Sequence, residues 1–325
     1  MARLKAAAFS SALLVCVAAV SARAGIFPGS AFSDKAAGTT GALFLKIPAG
    51  ARAMALGGSY SALVGDAESV FWNPAGLTRL EDQGRADAAL SYNMLLETAY
   101  SGSAALGFPL GEDRGVLGAA LTYFSQSSIQ GYGITGDPTS SFTPMDLAVS
   151  LAYGRVLGRV RAGGAFKFIR SELAGASGTS FAVDLGVQAD HVSDIGEGPV
   201  DLAAAISNLG PPIKLGSTAD PLPFKAVLGA HWRISPNLSG LLDGHIPSDA
   251  DPYASFGLEA RQSFGSGLGG ALRAGYNVKD GRSAEGLSGM SAGGGLQIKQ
   301  GRLDYAWVPF GDLGMTHRIS IGFKF

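Results

Sequence analysis

Few stretches of this chain put reactive residue types at spacings that chemistry uses. GSGLGG, Gly265 to Gly270, has the G-x-G-x-x-G spacing of a dinucleotide loop. That loop needs a strand before it and a helix after it. Here a strand pattern follows, so a hairpin turn is the better reading. His191, His231, His245 and His317 are scattered and form no i, i+4 pair of the kind that holds zinc. Asp66 and Glu68 are near neighbours, but a helix cap and an exposed helix residue account for them. There is no G-x-S-x-G serine elbow. The one cysteine, Cys16, sits in an apolar leader, so the remaining chain has no disulfide, thiol or cysteine–metal chemistry. The residues point away from an enzyme and call for no cofactor and no metal.

The charged residues have another regularity, which belongs to the elements that carry them. In Ser180–Asp190, Phe181, Val183, Leu185, Val187 and Ala189 share one face, and Ser180, Asp184, Gly186, Gln188 and Asp190 the other. Phe224 to Ile234 and Arg318 to Phe325 repeat the split. This is period-two strand alternation. It predicts about fourteen strands, near residues 86–92, 101–110, 115–124, 146–155, 159–170, 180–190, 199–208, 223–233, 237–245, 252–263, 268–278, 289–299, 301–309 and 316–325. Most are near the roughly 9–11 residues a tilted membrane strand needs.

The first 24 residues read as a secretory signal: Arg3 and Lys5, then apolar Ala6–Val20, then the cleavage site Ala22-Arg23-Ala24. Lipidation at Cys16 fits poorly, because Val15 stands where a small residue is expected and more apolar sequence follows. The mature chain begins near Gly25, exported to the bacterial periplasm or beyond. A formal net charge of −1 gives no basic excess for nucleic acid. No later segment has about 18 uninterrupted apolar residues, so no transmembrane helix is expected.

Alternation alone also suits a soluble sandwich, with the charged face solvated. The connections separate the two readings. Residues 111–114, 156–158, 235–236, 265–267 and 300–301 are tight, whereas Ser125–Met145, Ser171–Thr179, Leu209–Leu222 and Lys279–Ser288 are longer. HVSDIGEG, 191–198, is the exception among the tight ones. Short turns at one end and long loops at the other are the pattern of outer-membrane barrels. One face is apolar, with aromatics near strand ends. The other is small or charged: Arg161, Lys167, Asp184, Lys225, Arg233, Glu259, Arg261, Arg273 and Asp304 are the candidate lumen residues. The expected fold is an all-β, antiparallel up-and-down transmembrane barrel. Its partners are then outer-membrane lipid and, through the terminal aromatic Phe325, the barrel assembly machinery.

Residues 41–79 resemble the PorV/PorQ family, itself related to the FadL outer-membrane transporters. The matching features are FLKIPAGARAMALGG, the helix start GDAESVF and the turn NPAG. With the barrel pattern to Phe325, the resemblance covers essentially the mature chain. It implies a fourteen-stranded barrel whose N-terminal segment blocks the lumen. The division expected is signal peptide 1–24, plug 25–85 and barrel 86–325. Within the plug, Asp66 would cap the helical turn and Pro74 stop it, with Asn73, Ala75 and Gly76 completing the turn. Gly57, Gly58 and Gly76 would permit sharp bends, and Arg52 and Asp66 would meet charged lumen groups.

The resemblance implies passage or binding of a hydrophobic small molecule. Entry would be through Ser125–Met145, where Ile129, Tyr132, Ile134 and Phe142 are the candidate contacts. It equally implies an alternative, an outer-membrane component of a type IX-like secretion system that receives exported proteins.

Overall fold

The computed structural model describes residue 27, residues 29–283 and residues 286–325; the expected leader, with Cys16, lies outside them. Sixteen strands follow in order. They are β1 (Asp87–Met94), β2 (Ala99–Pro109), β3 (Val116–Gln126), β4 (Met145–Leu157), β5 (Val160–Leu173), β6 (Ala176–Ile195), β7 (Gly198–Leu209) and β8 (Ile213–Leu215). Then come β9 (Thr218–Asp220), β10 (Lys225–Ser235), β11 (Leu238–Pro247), β12 (Tyr253–Gly265), β13 (Leu268–Asn277), β14 (Met290–Ile298), β15 (Gly301–Pro309) and β16 (Met315–Lys324).

All except β8 and β9 join one closed antiparallel barrel of fourteen strands. Closure is made by β1, whose Asp87 lies opposite Gly107 of β2 and opposite Lys324 of β16. Every strand then has two neighbours, so no row of unpaired backbone groups is left to face lipid. Among the described residues no helix is long and apolar enough to cross a membrane.

Each run of alternation expected from the sequence coincides with one barrel strand. Differences lie at the ends. Ser171–Thr179 is not a long loop: β5 and β6 pair through Glu172 opposite Ser177, up to a two-residue turn at Ala174–Gly175. Its serines and threonines look like loop composition, yet they continue the alternation. Likewise β6 runs on through 191–195, and 209–222 contains the separate β8–β9 hairpin. The end carrying both barrel termini has only tight connections and is here the turn end. The opposite, loop end carries the 127–144 hairpin, the β8–β9 hairpin and the short helix Val278–Ser283.

Leu90, Phe108, Leu151, Leu272 and Ile321 stand exposed on the outer wall, while Ser91, Ser103, Ser150, Asp184, Glu259, Asp304 and Arg318 are buried on the inner one. That is the inverted arrangement of a barrel in lipid. Phe224, grouped by alternation with the outward face, is instead buried at the loop end. It precedes β10 and meets Phe27 edge-on at a centroid distance of 5.2 Å.

Candidate functional site

The inside of the ring is occupied by the chain's own N-terminal segment. Its pieces are short: helices Ala51–Ala55, Ser69–Trp72 and Arg79–Gln83, and 3-10 turns Asp34–Ala36, Leu43–Lys46 and Pro74–Thr78. Such helices are too short to stand alone, so their stability comes from packing. Accordingly Leu56, Tyr60, Val64, Leu77 and Leu80 are fully buried.

Residues 66–76 form a tight double turn. The Asp66 carboxylate accepts from the Glu68 N–H at 3.1 Å, but Asp66 stands three residues before the helix Ser69–Trp72, whose cap position is Glu68 and not Asp66. Asp66 therefore closes a local turn that leads into the helix. Pro74 ends that helix, as expected, and also opens the next turn, for which its fixed φ suits the first position. Asn73 is extended, and its carboxamide accepts from Ala75 N–H at 3.2 Å while donating to the carbonyls of Ser61 and Val187 at 3.1 Å each. Gly57 and Gly58 have φ of 68° and 82°, the left-handed bend the sequence suggested. Gly76 has no such φ. A Cβ there would meet Val64 O at 2.5 Å, so its role is close approach rather than bending.

Around the barrel the segment meets two kinds of wall. On β1–β6 the wall is small and apolar. Leu77, Leu80, Val70 and Ala67 pack against Ala89, Ala105, Val116, Ala120, Ala152 and Ala165. A Cβ on Gly118 would come within 2.8 Å of both Leu77 and Val70. Gly163 and Gly186 face Pro74 and Asn73 even more closely. On β11–β16 the wall is charged. Arg52 forks onto Glu259, Nε to Oε2 at 2.9 Å and Nη2 to Oε1 at 3.0 Å. Arg273 reaches the same carboxylate at 2.7 Å and Asp304 at 2.7 Å, and Arg261 joins Glu259 at 2.6 Å. Asp66 lies 3.5 Å from Arg302, which also binds Asp87. Burial first, and the Asp66 carboxylate beside it, push the Glu68 carboxyl well above the usual carboxylate range.

The other candidate lumen residues divide in the same way. Arg161 binds Asp82 and Asp190 and donates to Thr78 Oγ1 at 3.2 Å, so it grips the segment. Lys167 and Asp184 pair within the wall at 3.0 Å. The Lys225 ammonium stands 5.7 Å from the Trp72 ring centroid. Arg233 pairs with Asp201 at the turn-end rim and touches no part of the segment.

Two hollows remain. At the loop end a cavity of about 260 Å³ is lined by Phe44, Trp72, Lys225, His245, Phe310 and Arg318 among others. The Nδ1 of His245 and the Nε of Arg318 are buried there without a hydrogen-bond partner. At the turn end a polar cavity of about 500 Å³ is lined by Arg52, Asp66, Arg79, Arg261, Lys299 and Arg302. The loop candidates Ile129, Tyr132, Ile134 and Phe142 line neither. They stand on a loop-end hairpin in which Ile129 pairs with Phe142 and Tyr132 with Pro138, and Tyr132 and Ile134 are exposed. The hairpin bonds to itself, and its tip residue Ile134 is fully exposed. Phe325 follows β16, exchanges hydrogen bonds with Ala86 at 3.0 Å and leaves its ring exposed.

Sequence reasoning missed Asp243, which accepts from the Tyr60 and Ser61 N–H groups at 3.1 and 3.0 Å. It missed Asp87 and His245 too. Parity marks Asp243 and His245 as inward, but Leu241, also inward and buried against the segment, blurs the pattern in LLDGH. Among the described residues no three metal-ligating side chains gather into a site.

In solved structures the same barrel recurs. The toluene transporter TbuX of Ralstonia pickettii aligns over 85% of this chain and 97% of its own, with a TM-score of 0.55 and 15% identity. The toluene transporter TodX of Pseudomonas putida aligns over 85% and 96%, with a TM-score of 0.54 and 11% identity. At such identities the likeness is one of fold. No curated protein sequence matches. The family profile described as "Type IX secretion system protein PorV" matches residues 30–234, which spans the interior segment and the first eight of the fourteen barrel strands. This chain, an outer-membrane β-barrel closed around its own N-terminal segment, belongs to the PorV family.

Proposed function

We propose that the chain is a plugged outer-membrane barrel serving as a protein-binding component of a type IX-like secretion system, with its loop end as the binding face. The observation that carries this is the 127–144 hairpin. It stands at the loop end with Tyr132 and Ile134 exposed, and the PorV profile runs through it. The filled interior supports the same reading: a segment held on both walls suits a stable platform better than an open conduit. Barrels of this class have short periplasmic turns and longer outer loops, so the turn end, with Phe325, faces the periplasm, while the start of the interior segment, with Phe27 against Phe224, lies at the loop end. Replacing Tyr132 and Ile134 together by Asp tests the reading. Heat-modifiable barrel assembly should be unchanged while exported proteins accumulate in the periplasm. Normal export by an assembled variant refutes the role of this face.

A second reading, binding of a hydrophobic small molecule, draws on the loop-end cavity. Its aromatic lining and the buried unpartnered atoms of His245 and Arg318 suit an apolar ligand with one polar group. Titrating toluene and benzoate against Trp72 fluorescence in a variant lacking Trp232 and Trp307 tests it. A flat titration for both removes this reading and leaves the first untouched.

A further inference from the structure

The wall between β12 and β15 carries a second hollow, on its outer side. It is a groove of about 740 Å³, lined chiefly by Leu238, Phe264, Leu272, Leu296, Leu303 and Tyr305. Its floor includes Gly270 and Gly294. Neither glycine has a positive φ, and a Cβ on Gly270 would be 3.4 Å from Phe264 and one on Gly294 3.6 Å from Ala271 O, both ordinary contacts. Backbone strain and crowding therefore do not account for these two glycines. What they do is recess the wall, and a glycine within a strand often marks the close approach of another molecule.

The groove is not isolated. Arg261, Gln262, Gly270, Ala271, Gly295 and Leu296 line both it and the polar turn-end cavity. At the shared rim Arg261 is half exposed and shares one carboxylate, Glu259, with Arg52 and Arg273. Lys299, at the next turn, lines the same cavity and makes no ion pair among the described residues. A greasy recess on the lipid face thus borders, across the strand ends it shares with the turn-end cavity, an excess of positive charge at the membrane edge. That polarity is the complement of an anionic amphiphile. In lipid the hydrophobic effect does not drive association, so close van der Waals packing and polar head contacts must. A recessed floor supplies the first and the rim cations the second.

We propose that the β12–β15 groove seats one anionic glycerophospholipid of the turn-end leaflet, with an acyl chain over Gly270 and Gly294 and its phosphate at Arg261 and Lys299. The site is separate from the loop end and does not depend on which partner binds there.

The test is native mass spectrometry of the detergent-purified barrel loaded from vesicles of equal phosphatidylglycerol and phosphatidylcholine. The wild type should retain one phosphatidylglycerol through delipidating washes. The double change Gly270→Leu and Gly294→Leu, which fills the recess from the outer face at ordinary contact distances, should lose that species. Lys299→Glu should lose its preference over phosphatidylcholine. Gly244→Leu, elsewhere on the outer wall, should retain it. Heat-modifiable migration of each variant shows that the barrel is formed. Retention by the double variant, equal retention of both lipids by the wild type, or a co-purifying membrane protein in place of lipid would each overturn the proposal.

Discussion

The two walls that hold the interior segment differ in the physics of their grip. Against β1–β6 the segment lies mainly on alanine and glycine, with Leu77 and Leu80 fully buried and Pro74 against the backbone of β5, and ion pairs Arg161–Asp82 and Arg79–Asp190 only at the more exposed turn-end edge. Apolar contact of this kind is short-ranged, sensitive to a single methyl group and indifferent to pH or salt. Against β11–β16 the grip is a lattice of carboxylates and guanidiniums centred on Glu259, which is 1% exposed and serves Arg52, Arg261 and Arg273 together. Here one atom pair gone leaves its partners buried and uncompensated. The first wall fixes where the segment sits. The second fixes its orientation and holds most of the buried charge that solution conditions can address.

The largest effect should come from Glu259→Gln. It removes the charge that three guanidiniums share, and breaking a buried pair of this kind costs about 3–5 kcal/mol. Hydrogen exchange should show Ala51–Ala55 released while the barrel strands stay protected. Unchanged protection of that helix would mean that the charged wall only lines the segment and does not hold it.

Leu77→Ala should come next, at about 3 kcal/mol, the usual range for a leucine deleted from a packed core. Its signature should be independence: the same loss at low and high salt, and at each pH. A salt-dependent loss would erase the distinction between the two walls. Asn73→Ala should cost less, about 1–2 kcal/mol, since it strips one turn cap and two carbonyl partners but Gln188 still donates to the Ser61 carbonyl at 2.9 Å. The fall should appear in the urea midpoint of segment release.

The two walls were unequally legible in the sequence. A barrel strand writes its facing direction into every second residue, so Glu259, Arg261, Arg273 and Asp304 could be placed inside from parity alone. Which carboxylate met which guanidinium could not, because that depends on register between strands far apart in the chain. The Arg52–Glu259 bond spans 207 positions. On the apolar wall, Gly163 and Gly186 looked like ordinary strand glycines until Pro74 and Asn73 were found against them. The hairpin contacts Ile129, Tyr132, Ile134 and Phe142 were recognisable as an apolar loop. Their direction was not, since a self-bonded hairpin has no periodicity relative to the barrel it leaves.

The smallest effect, and the one that separates the ends of the segment, is in pH. At the loop end Asp249 accepts from Lys46 at 2.8 Å and from Thr40 at 2.7 Å. Burial alone would raise its carboxyl, but these two bonds outweigh burial and hold it below the ordinary aspartate value of 3.8. A depressed carboxyl contributes stability that is present above its unfolded pKa and lost as pH falls through the folded one, so acid below about pH 4 should loosen residues 40–46. Glu68 runs the other way. Raised by burial and by Asp66 above 4.5, it favours the folded state fully below that value and progressively less as pH rises through its folded pKa. Alkaline solution should therefore loosen residues 66–72 first. Spin-label mobility at positions 42 and 67 reads the two ends separately. Asp249→Asn should abolish the acid response alone and Glu68→Gln the alkaline response alone. If both labels loosen together on the same side of neutrality, the segment moves as one body and its two ends are not independently held.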